Sequence, residues 1–318
     1  MRLLAALLVW CLAGSVQAQS YPSKSVRMLL AFPPGGPTDI NARLFAQKFT
    51  EQTGQSFVVE NRPGAGGNLA AGEAARAPAD GYTIFYNTSA ITIAPALYSS
   101  VQVDPVRGYA PVALTATVPL VLAIHPAVPA KNLQEFVAYA KANPGKLFYA
   151  SSGSGTITHL AGALFAAQLG LQMQHVPYKG SAPALVDVVG GQTQMMIDTI
   201  STVLPYARDN RLRPLAIAVT RRSPQLPEVP TLEEAANLPG FEMSAWQGIV
   251  VPAATPKDIV ARLNAEVNKA VQNPELRARL ATGGSEPLGG TSEQYASYIK
   301  SELQRWTKVV KDAGARAD

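Results

Sequence analysis

Along the chain, short continuous apolar runs alternate with segments in which apolar residues recur at helical spacing. Residues 26–32, VRMLLAF, form a continuous apolar run, which is typical of a parallel strand that is covered on both faces. Residues 38–53 then repeat apolar side chains at the i, i+3, i+4, i+7 spacing of one helix face, and Gly54 ends that pattern. The pattern therefore predicts a strand followed directly by an amphipathic helix.

The same alternation continues through residue 87. Residues 56–61 and 82–87 have the composition of strands, and an alanine-rich helix is predicted between them, over residues 68–77. A β-α-β-α-β series predicts a parallel, doubly wound sheet with right-handed crossovers.

A second series of the same kind begins near Val118. Its predicted strands are 119–126, 146–151, 193–198, 212–219 and 244–251, and its predicted helices are 132–145, 158–170, 182–189, 256–272, 274–282 and 291–313. The two series predict an α/β protein of two lobes, joined by crossing strands near residues 116–122 and 240–248. We assign 19–120 plus 245–318 to lobe 1 and 121–244 to lobe 2, with a ligand cleft between them.

The first eighteen residues have the organisation of a secretory signal. Met1-Arg2 is a short basic start, residues 3–14 are apolar, and Val16 and Ala18 are small residues before a cleavage site. The apolar part is too short to span a bilayer, so cleavage near Ala18 and a periplasmic location are predicted. The alternative interpretation is a buried N-terminal strand or helix.

Cysteine use excludes several kinds of chemistry. The 318-residue chain has one cysteine, Cys11, which lies inside the predicted signal, and Trp10 before it argues against lipidation. The mature chain would therefore contain no disulfide, no thiolate nucleophile and no cysteine-based metal site.

The charge distribution does not indicate nucleic-acid binding. The formal net charge is +5, and the densest basic group, Arg208, Arg211, Arg213, Arg221 and Arg222, has no interleaved aromatic residues for base stacking. A solvated face is favoured for this group, with a docking surface for a partner as the alternative.

The segment AFPPGGPTD, residues 31–39, joins the first strand to the first helix. Unpaired backbone N–H groups and the helix dipole favour an anion at such a junction. Gly35 and Gly36 leave the backbone bare, while Thr38 or Asp39 is a plausible helix N-cap. An ordinary strand-to-helix turn remains the alternative.

A second junction, SSGSGTITH at residues 151–159, has the same organisation in the other half of the chain. Its serine and threonine hydroxyls and its glycine N–H groups could donate to a carboxylate. Two such loops that face each other across a cleft would hold a small anion. Neither loop has the lysine of a phosphate-binding P-loop, and residues 61–68 do not match a dinucleotide fingerprint.

Four further residues lie near predicted strand ends, where ligands bind in open parallel sheets: Asn87, Ser89, Tyr178 and Asp198. For Asp198, capping of the next turn is the alternative. Ser152 and His159 suggest a nucleophile and a base, but the G-x-S-x-G elbow is absent, and a structural role is favoured for His159. The three histidines lack paired metal-ligand spacing, so no metal or cofactor is predicted.

Taken together, the signal and the ordered motifs resemble the Bug family, the periplasmic solute receptors of tripartite tricarboxylate transporters. The motifs span the mature chain: YPSKSVRMLLAFPPGGPTD, VVENRPGAGG, ADGYTIFY, YASSGSGTITHLAGALF, VPYKGSAPALVDVVGGQ and WQGIVVPAATP. The resemblance implies a type II periplasmic-binding-protein fold, with a doubly wound, mostly parallel sheet in each lobe. It also implies a small carboxylate held by loops 33–39 and 151–158 through main-chain groups, hydroxyls and bridging waters.

The resulting hypothesis is a monomeric receptor that delivers a carboxylate to integral-membrane permease subunits. A ligand sensor for a signalling system and a periplasmic hydrolase using Ser152 and His159 are the alternatives. If Asp198 is ionised in the cleft, an amino acid is favoured over a simple dicarboxylate. The predicted ligand-binding residues are Pro34, Gly35, Gly36, Thr38, Asp39, Asn87, Ser89, Ser151, Ser152, Gly153, Gly155, Thr156, Thr158, Tyr178 and Asp198.

Overall fold

The computed structural model describes residues 21–98, 101, 103–238 and 241–313, so the predicted signal at residues 1–18 lies outside the described residues. The described strands are β1 (Val26–Leu30), β2 (Phe57–Asn61), β3 (Thr83–Thr88), β4 (Tyr109–Ile124), β5 (Leu147–Ser151), β6 (Met173–Pro177), β7 (Met195–Thr199), β8 (Arg213–Ile217), β9 (Ser244–Pro252) and β10 (Glu286–Gly289).

The described α-helices alternate with these strands in the first part of the chain and dominate its last part. They are α1 (Pro37–Thr53), α2 (Asn68–Ala75), α3 (Ala90–Leu97), α4 (Leu133–Ala142), α5 (Ile157–Leu169), α6 (Ser181–Val189), α7 (Ile200–Arg208), α8 (Leu232–Ala236), α9 (Lys257–Gln272), α10 (Pro274–Thr282) and α11 (Ser292–Ala313). None of these helices is long and apolar enough to cross a membrane.

The strands form a mixed sheet in the order β2-β1-β3-β9-β4-β7-β5-β6, with β8 and β10 also paired to β4. The outer strands are parallel, β1 with β2 and β3, and β5 with β6 and β7. The strands in the middle are antiparallel, because β4 and β9 run between the two ends of the molecule.

Strand β4 belongs to both ends of the sheet. Its residues 109–119 pair with β9, whereas residues 120–124 pair with β7 on one side and β8 on the other. We call β1–β3, β9, β10 and the first part of β4 sheet 1, and β5–β8 with the last part of β4 sheet 2. The chain therefore crosses between the sheets at residues 119–120 and returns at the start of β9.

Helices cover both faces of each sheet, which explains the continuous apolar runs. In β1, Met28 and Leu30 pack into a core with α1 and α9, while Leu29 packs on the opposite face with α2. In β4, Leu122 and Val121 likewise belong to different cores. Every position of β1 except Arg27 is buried, so the two-residue polar alternation of a half-exposed strand is absent.

Helix α11 connects the two sheets a second time. Tyr295 and Ile299 pack into a core of sheet 1, and about two turns beyond Ile299, Trp306 packs into a core of sheet 2. Between them, the buried carboxylate of Glu302 accepts hydrogen bonds from the indole N–H groups of Trp246 and Trp306, both at 2.9 Å.

Candidate functional site

A cavity lies between the two sheets, next to the ends of several strands. It is lined by residues 32–34, 36–38, 88–90, 152, 156–158, 180–183 and 198–199 and by Ala245, and its volume is about 50 Å³. Cavities that hold drug-sized ligands measure about 300–1,000 Å³, so the space between the sheets is much smaller than such a cavity in the conformation described.

The N-termini of five helices meet at this cavity. Its lining contains the first residues of α1, α3, α5 and α6 and the residue just before α7. Each N-terminus presents unpaired backbone N–H groups and the positive end of a helix dipole. Among the described residues that line the cavity, none is a lysine, arginine or histidine, so helix ends and hydroxyl groups are the groups there that could stabilise a negative ligand.

The first predicted loop contributes Pro34, Gly36 and Thr38 to the cavity wall. Gly36 caps α1 at φ −79°, and Pro37 occupies the first helical turn, where no N–H is needed. Gly35 has φ +82°, a left-handed conformation that favours glycine, and is not part of the wall.

Asp39 does not line the cavity but holds this loop in place. Its carboxylate accepts hydrogen bonds from the Gly35 N–H at 3.0 Å, from Asn61 at 2.9 Å and from Arg43 at 2.9 Å. Burial alone would raise the pKa of Asp39, but the hydrogen bonds from Arg43, Gly35 and Asn61 outweigh it and keep the pKa below its usual value. The ionised side chain therefore fixes the loop from behind.

The second predicted loop contributes Ser152, Thr156 and Thr158 to the opposite wall. The Thr158 hydroxyl lies 2.8 Å from the Ser152 hydroxyl and 2.9 Å from the Thr156 hydroxyl, and it accepts from the Ser152 N–H at 2.9 Å. These three hydroxyls form a linked group at the N-terminus of α5, in which the Thr156 hydroxyl donates to the Gly153 oxygen at 2.7 Å.

Ser151, Gly153 and Gly155 lie behind this wall rather than in it. The Ser151 hydroxyl lies 2.6 Å from Nε2 of His175 and accepts from the Gly153 N–H at 3.2 Å. The Gly155 N–H donates to Nδ1 of His159 at 3.4 Å.

The two imidazoles behind the loop stack on each other with ring centres 4.0 Å apart. Burial lowers the pKa of His159 to about 4. Burial, together with repulsion from His159, lowers the pKa of His175 to about 3. Both rings are therefore neutral near pH 7 and act as polar packing beneath the glycine loop. The Ser152 hydroxyl bonds to Thr158, and Nδ1 of His159 bonds to Gly155. Ser152 and His159 therefore do not pair with each other as a nucleophile and its base.

The remaining predicted residues occupy different positions. Ser89 and Asp198 line the cavity. Asn87 is fully buried beside it and accepts a hydrogen bond from the Tyr295 hydroxyl at 2.7 Å. The Tyr178 hydroxyl donates to Asp187 at 2.6 Å, and Tyr178 lines a neighbouring cavity of about 240 Å³.

Sequence reasoning did not single out the third strand-to-helix junction at this site. Gly180, Ser181, Ala182 and Pro183 all line the cavity at the start of α6. The signal was present, since a glycine followed by a hydroxyl residue opens this helix after a strand, as in the 151–158 loop. Three more lining residues, Pro33, Pro37 and Ile157, belong to the two predicted loops but not to the predicted ligand-binding residues, and the other unpredicted ones are Phe32, Thr88, Ala90, Thr199 and Ala245.

The halves touch each other both beside the cavity and at its wall. The Tyr98 hydroxyl, just beyond α3 of the sheet 1 half, donates to the backbone oxygen of Ser154 at 2.9 Å. A Cβ atom on Gly66 would lie 2.5 Å from that same oxygen, and one on Gly180 would lie 3.0 Å from Pro33. Bare backbone at these glycines lets the two halves close on the cavity.

Two α/β halves that share crossing strands and have a cavity between them define a type II periplasmic binding protein. The family model of the tripartite tricarboxylate transporter family receptor matches residues 41–315. The chain belongs to this family.

Similar proteins, three of them with solved structures, agree with this assignment. BugT of Bordetella pertussis is 36% identical over 96% of this chain and 94% of its own. The structure of R. palustris Rpa4515 with adipate has a TM-score of 0.90 and 36% identity, covering 93% of this chain and 99% of that one. The periplasmic binding protein BugD has a TM-score of 0.89 and 32% identity, covering 93% and 99%. MatC (Rpa3494) from Rhodopseudomonas palustris with bound malate has a TM-score of 0.87 and 34% identity, covering 91% and 100%.

Proposed function

We propose that this protein is a periplasmic receptor that binds a small carboxylate between its two lobes and delivers it to the permease subunits of a tripartite tricarboxylate-type transporter. The lobes would comprise residues 19–120 plus 245–318, and residues 121–244. The observation that carries the proposal is the meeting of five helix N-termini at a cavity without a basic side chain.

Electrostatics favours an anionic ligand at this site. One helix N-terminus stabilises a negative charge by about 0.3–1 kcal/mol at a surface and by up to about 2 kcal/mol when partly buried. The Ser152 and Thr158 hydroxyls bond to each other, and either could donate to a carboxylate oxygen instead by rotating its proton towards the ligand. Rpa4515 with adipate and MatC with malate support a carboxylate as the ligand class.

The residues proposed to contact the ligand are those of the earlier prediction that line the cavity: Pro34, Gly36, Thr38, Ser89, Ser152, Thr156, Thr158 and Asp198. The others act indirectly. Asp39 and Ser151 hold the two loops, and Gly35, Gly153 and Gly155 give those loops their shape.

Receptor function is favoured over catalysis because the predicted nucleophile and base are bonded elsewhere. Turnover of any ester or amide that disappears in Ser152→Ala would reverse this preference. A sensor role uses the same binding event, and loss of ligand uptake by cells that lack the gene distinguishes transport from sensing.

The test is a thermal-shift screen of the mature protein against carboxylic acids, followed by calorimetry on the hits. A ligand at 100 times its Kd adds about 2.7 kcal/mol of stability, which such a screen detects readily. Binding of uncharged solutes only, with no response to any acid, would contradict the proposal.

Gly36→Val tests the site itself. At φ −79° a side chain is unstrained, and a Cβ atom would meet only the Pro33 oxygen, at 3.8 Å. The new isopropyl group would therefore occupy the cavity wall without unfolding the chain, and we expect binding to be lost. Gly283→Val, at φ −82° and remote from the cavity, is the matched control that should bind normally.

A further inference from the structure

Asp198 is the one ionisable side chain among the described residues that line the cavity. It lies near the end of β7, two residues before α7 begins, and is 1% exposed. An ionised carboxylate is costly to bury unless hydrogen-bond donors or an opposite charge compensate it.

The protein satisfies only part of this carboxylate. Oδ1 accepts the Thr199 N–H at 2.6 Å, while Oδ2 has no hydrogen-bond partner within the described protein. The hydroxyls of Ser181, Thr199 and Thr202 lie close enough to favour the ionised form, but none has hydrogen-bond geometry to Oδ2. Burial nevertheless raises the pKa of Asp198 to about 6, so the group remains mainly ionised at neutral pH.

An acceptor without a donor at a cavity wall restricts what the ligand can present there. A ligand carboxylate would add a second negative charge, which Asp198 would repel. A hydroxyl would donate a hydrogen bond, and an ammonium would both donate and neutralise the charge. The helix N-termini and the hydroxyls of loop 151–158 remain available for the ligand's own carboxylate.

We propose that Asp198 selects carboxylates that carry a hydrogen-bond donor, an ammonium or a hydroxyl group, over unsubstituted acids of the same skeleton. This inference rests on the proposed receptor function and specifies the ligand class of the same site. Asp198 thus acts as the specificity-determining residue, and the helix N-termini act as the general anion site.

The test compares matched acids by calorimetry on the mature protein. Each series has one carbon skeleton with hydrogen, hydroxyl or ammonium on the second carbon, such as propionate, lactate and alanine, or adipate, 2-hydroxyadipate and 2-aminoadipate. We expect the substituted acid to bind at least about tenfold more tightly in the series that fits the cavity. Equal affinity across that series would overturn the inference, while the receptor function would stand.

Asp198→Asn tests whether the ligand group that pairs with Asp198 is an ammonium or a hydroxyl. For an ammonium ligand, loss of the negative charge should weaken binding at least tenfold and bring it to the level of the unsubstituted acid. For a hydroxyl ligand the loss should be smaller, because the amide oxygen still accepts. Unchanged discrimination in Asp198→Asn would overturn the inference.

Asp187→Asn is the charge-matched control. This residue is on α6, pairs with Tyr178 and does not line the cavity, so ligand discrimination should be that of the wild type. Failure of every acid in every series to bind would overturn the receptor function and this inference together. The wild-type comparison needs no variant, so it decides the question even where a substitution impairs folding.

Discussion

Tyr98 provides a measure of how much contact between the two halves contributes to ligand affinity. Its hydroxyl donates to the backbone oxygen of Ser154, and this bond joins the two halves without involving a cavity-lining atom. A hydrogen bond of this kind contributes about 1 kcal/mol net. In a receptor that closes on its ligand, an interaction present only in the closed state contributes to the apparent affinity.

Tyr98→Phe should therefore weaken binding about fivefold, the equivalent of about 1 kcal/mol, without removing any ligand contact. Calorimetry with the tightest acid from the screen measures the change. Most of it should appear in the dissociation rate, because the phenyl ring still fills the same space and only the closed state loses a bond.

Tyr109→Phe is the matched control. Its hydroxyl also donates to a backbone oxygen, that of Ala71, at 2.6 Å, but both residues belong to the sheet 1 half. We expect a lower thermal midpoint and wild-type affinity. Wild-type affinity in Tyr98→Phe as well would refute the reasoning, because the bond would then contribute equally to open and closed states or to neither.

Three other outcomes follow from the geometry. Gly66→Ala should weaken binding more than tenfold, because its Cβ atom would lie 2.5 Å from the Ser154 oxygen in the other half. Gly54→Ala is the control: it has the same left-handed backbone strain but no contact within 4 Å, so it should lower stability and leave binding normal. Burial raises the pKa of Asp198 from 3.8 to about 6, so the folded protein retains a proton that the unfolded chain has released, and stability falls as pH rises from 4 to 6. Asp198→Asn should then raise the thermal midpoint at pH 8, and equal midpoints at that pH would contradict this. Burial lowers the pKa of His175 from 6.5 to about 3, so the folded protein loses stability as the pH falls below 6.5. Between pH 7 and pH 5, the thermal midpoint of His175→Gln should therefore fall less than that of the wild type.

The local pattern of the sequence was sufficient to predict most helices and parallel strands. The 3.6-residue period placed α1 and the last three helices within a residue or two of their ends, because glycine, proline and capping residues mark those ends. The type II periplasmic-binding-protein fold is also confirmed by the solved relatives.

Two features could not be read from local pattern. Strand β4 begins at Tyr109, well before the predicted start near Val118, because its first part is defined by pairing with β9, which follows more than 120 residues later. Helices α3 and α7 are short and each contains a proline, a residue that argues against a helix interior. Both nevertheless bring an N-terminus to the cavity.

The site prediction was limited by a similar cause. A glycine-rich loop in the sequence identifies a place where backbone is accessible, but not which of its residues face inward. Asp39 and Ser151 belong to the predicted loops, yet their side chains turn towards neighbouring elements and hold the loops. Side-chain direction there depends on Asn61 and His175, which are 22 and 24 residues away.

The crossing of β4 and β9 also determines the order in which the chain can fold. Residues 120–243 form an insertion, and β9, which fills the place between β3 and β4, follows β3 by more than 150 residues. Sheet 2 can assemble from near-continuous chain, whereas β3 and the first part of β4 stay exposed as unpaired edges until β9 arrives. A chain that ends before β9 would therefore expose unpaired strand edges that are prone to aggregation. Folding can be completed only when the last quarter of the polypeptide is present.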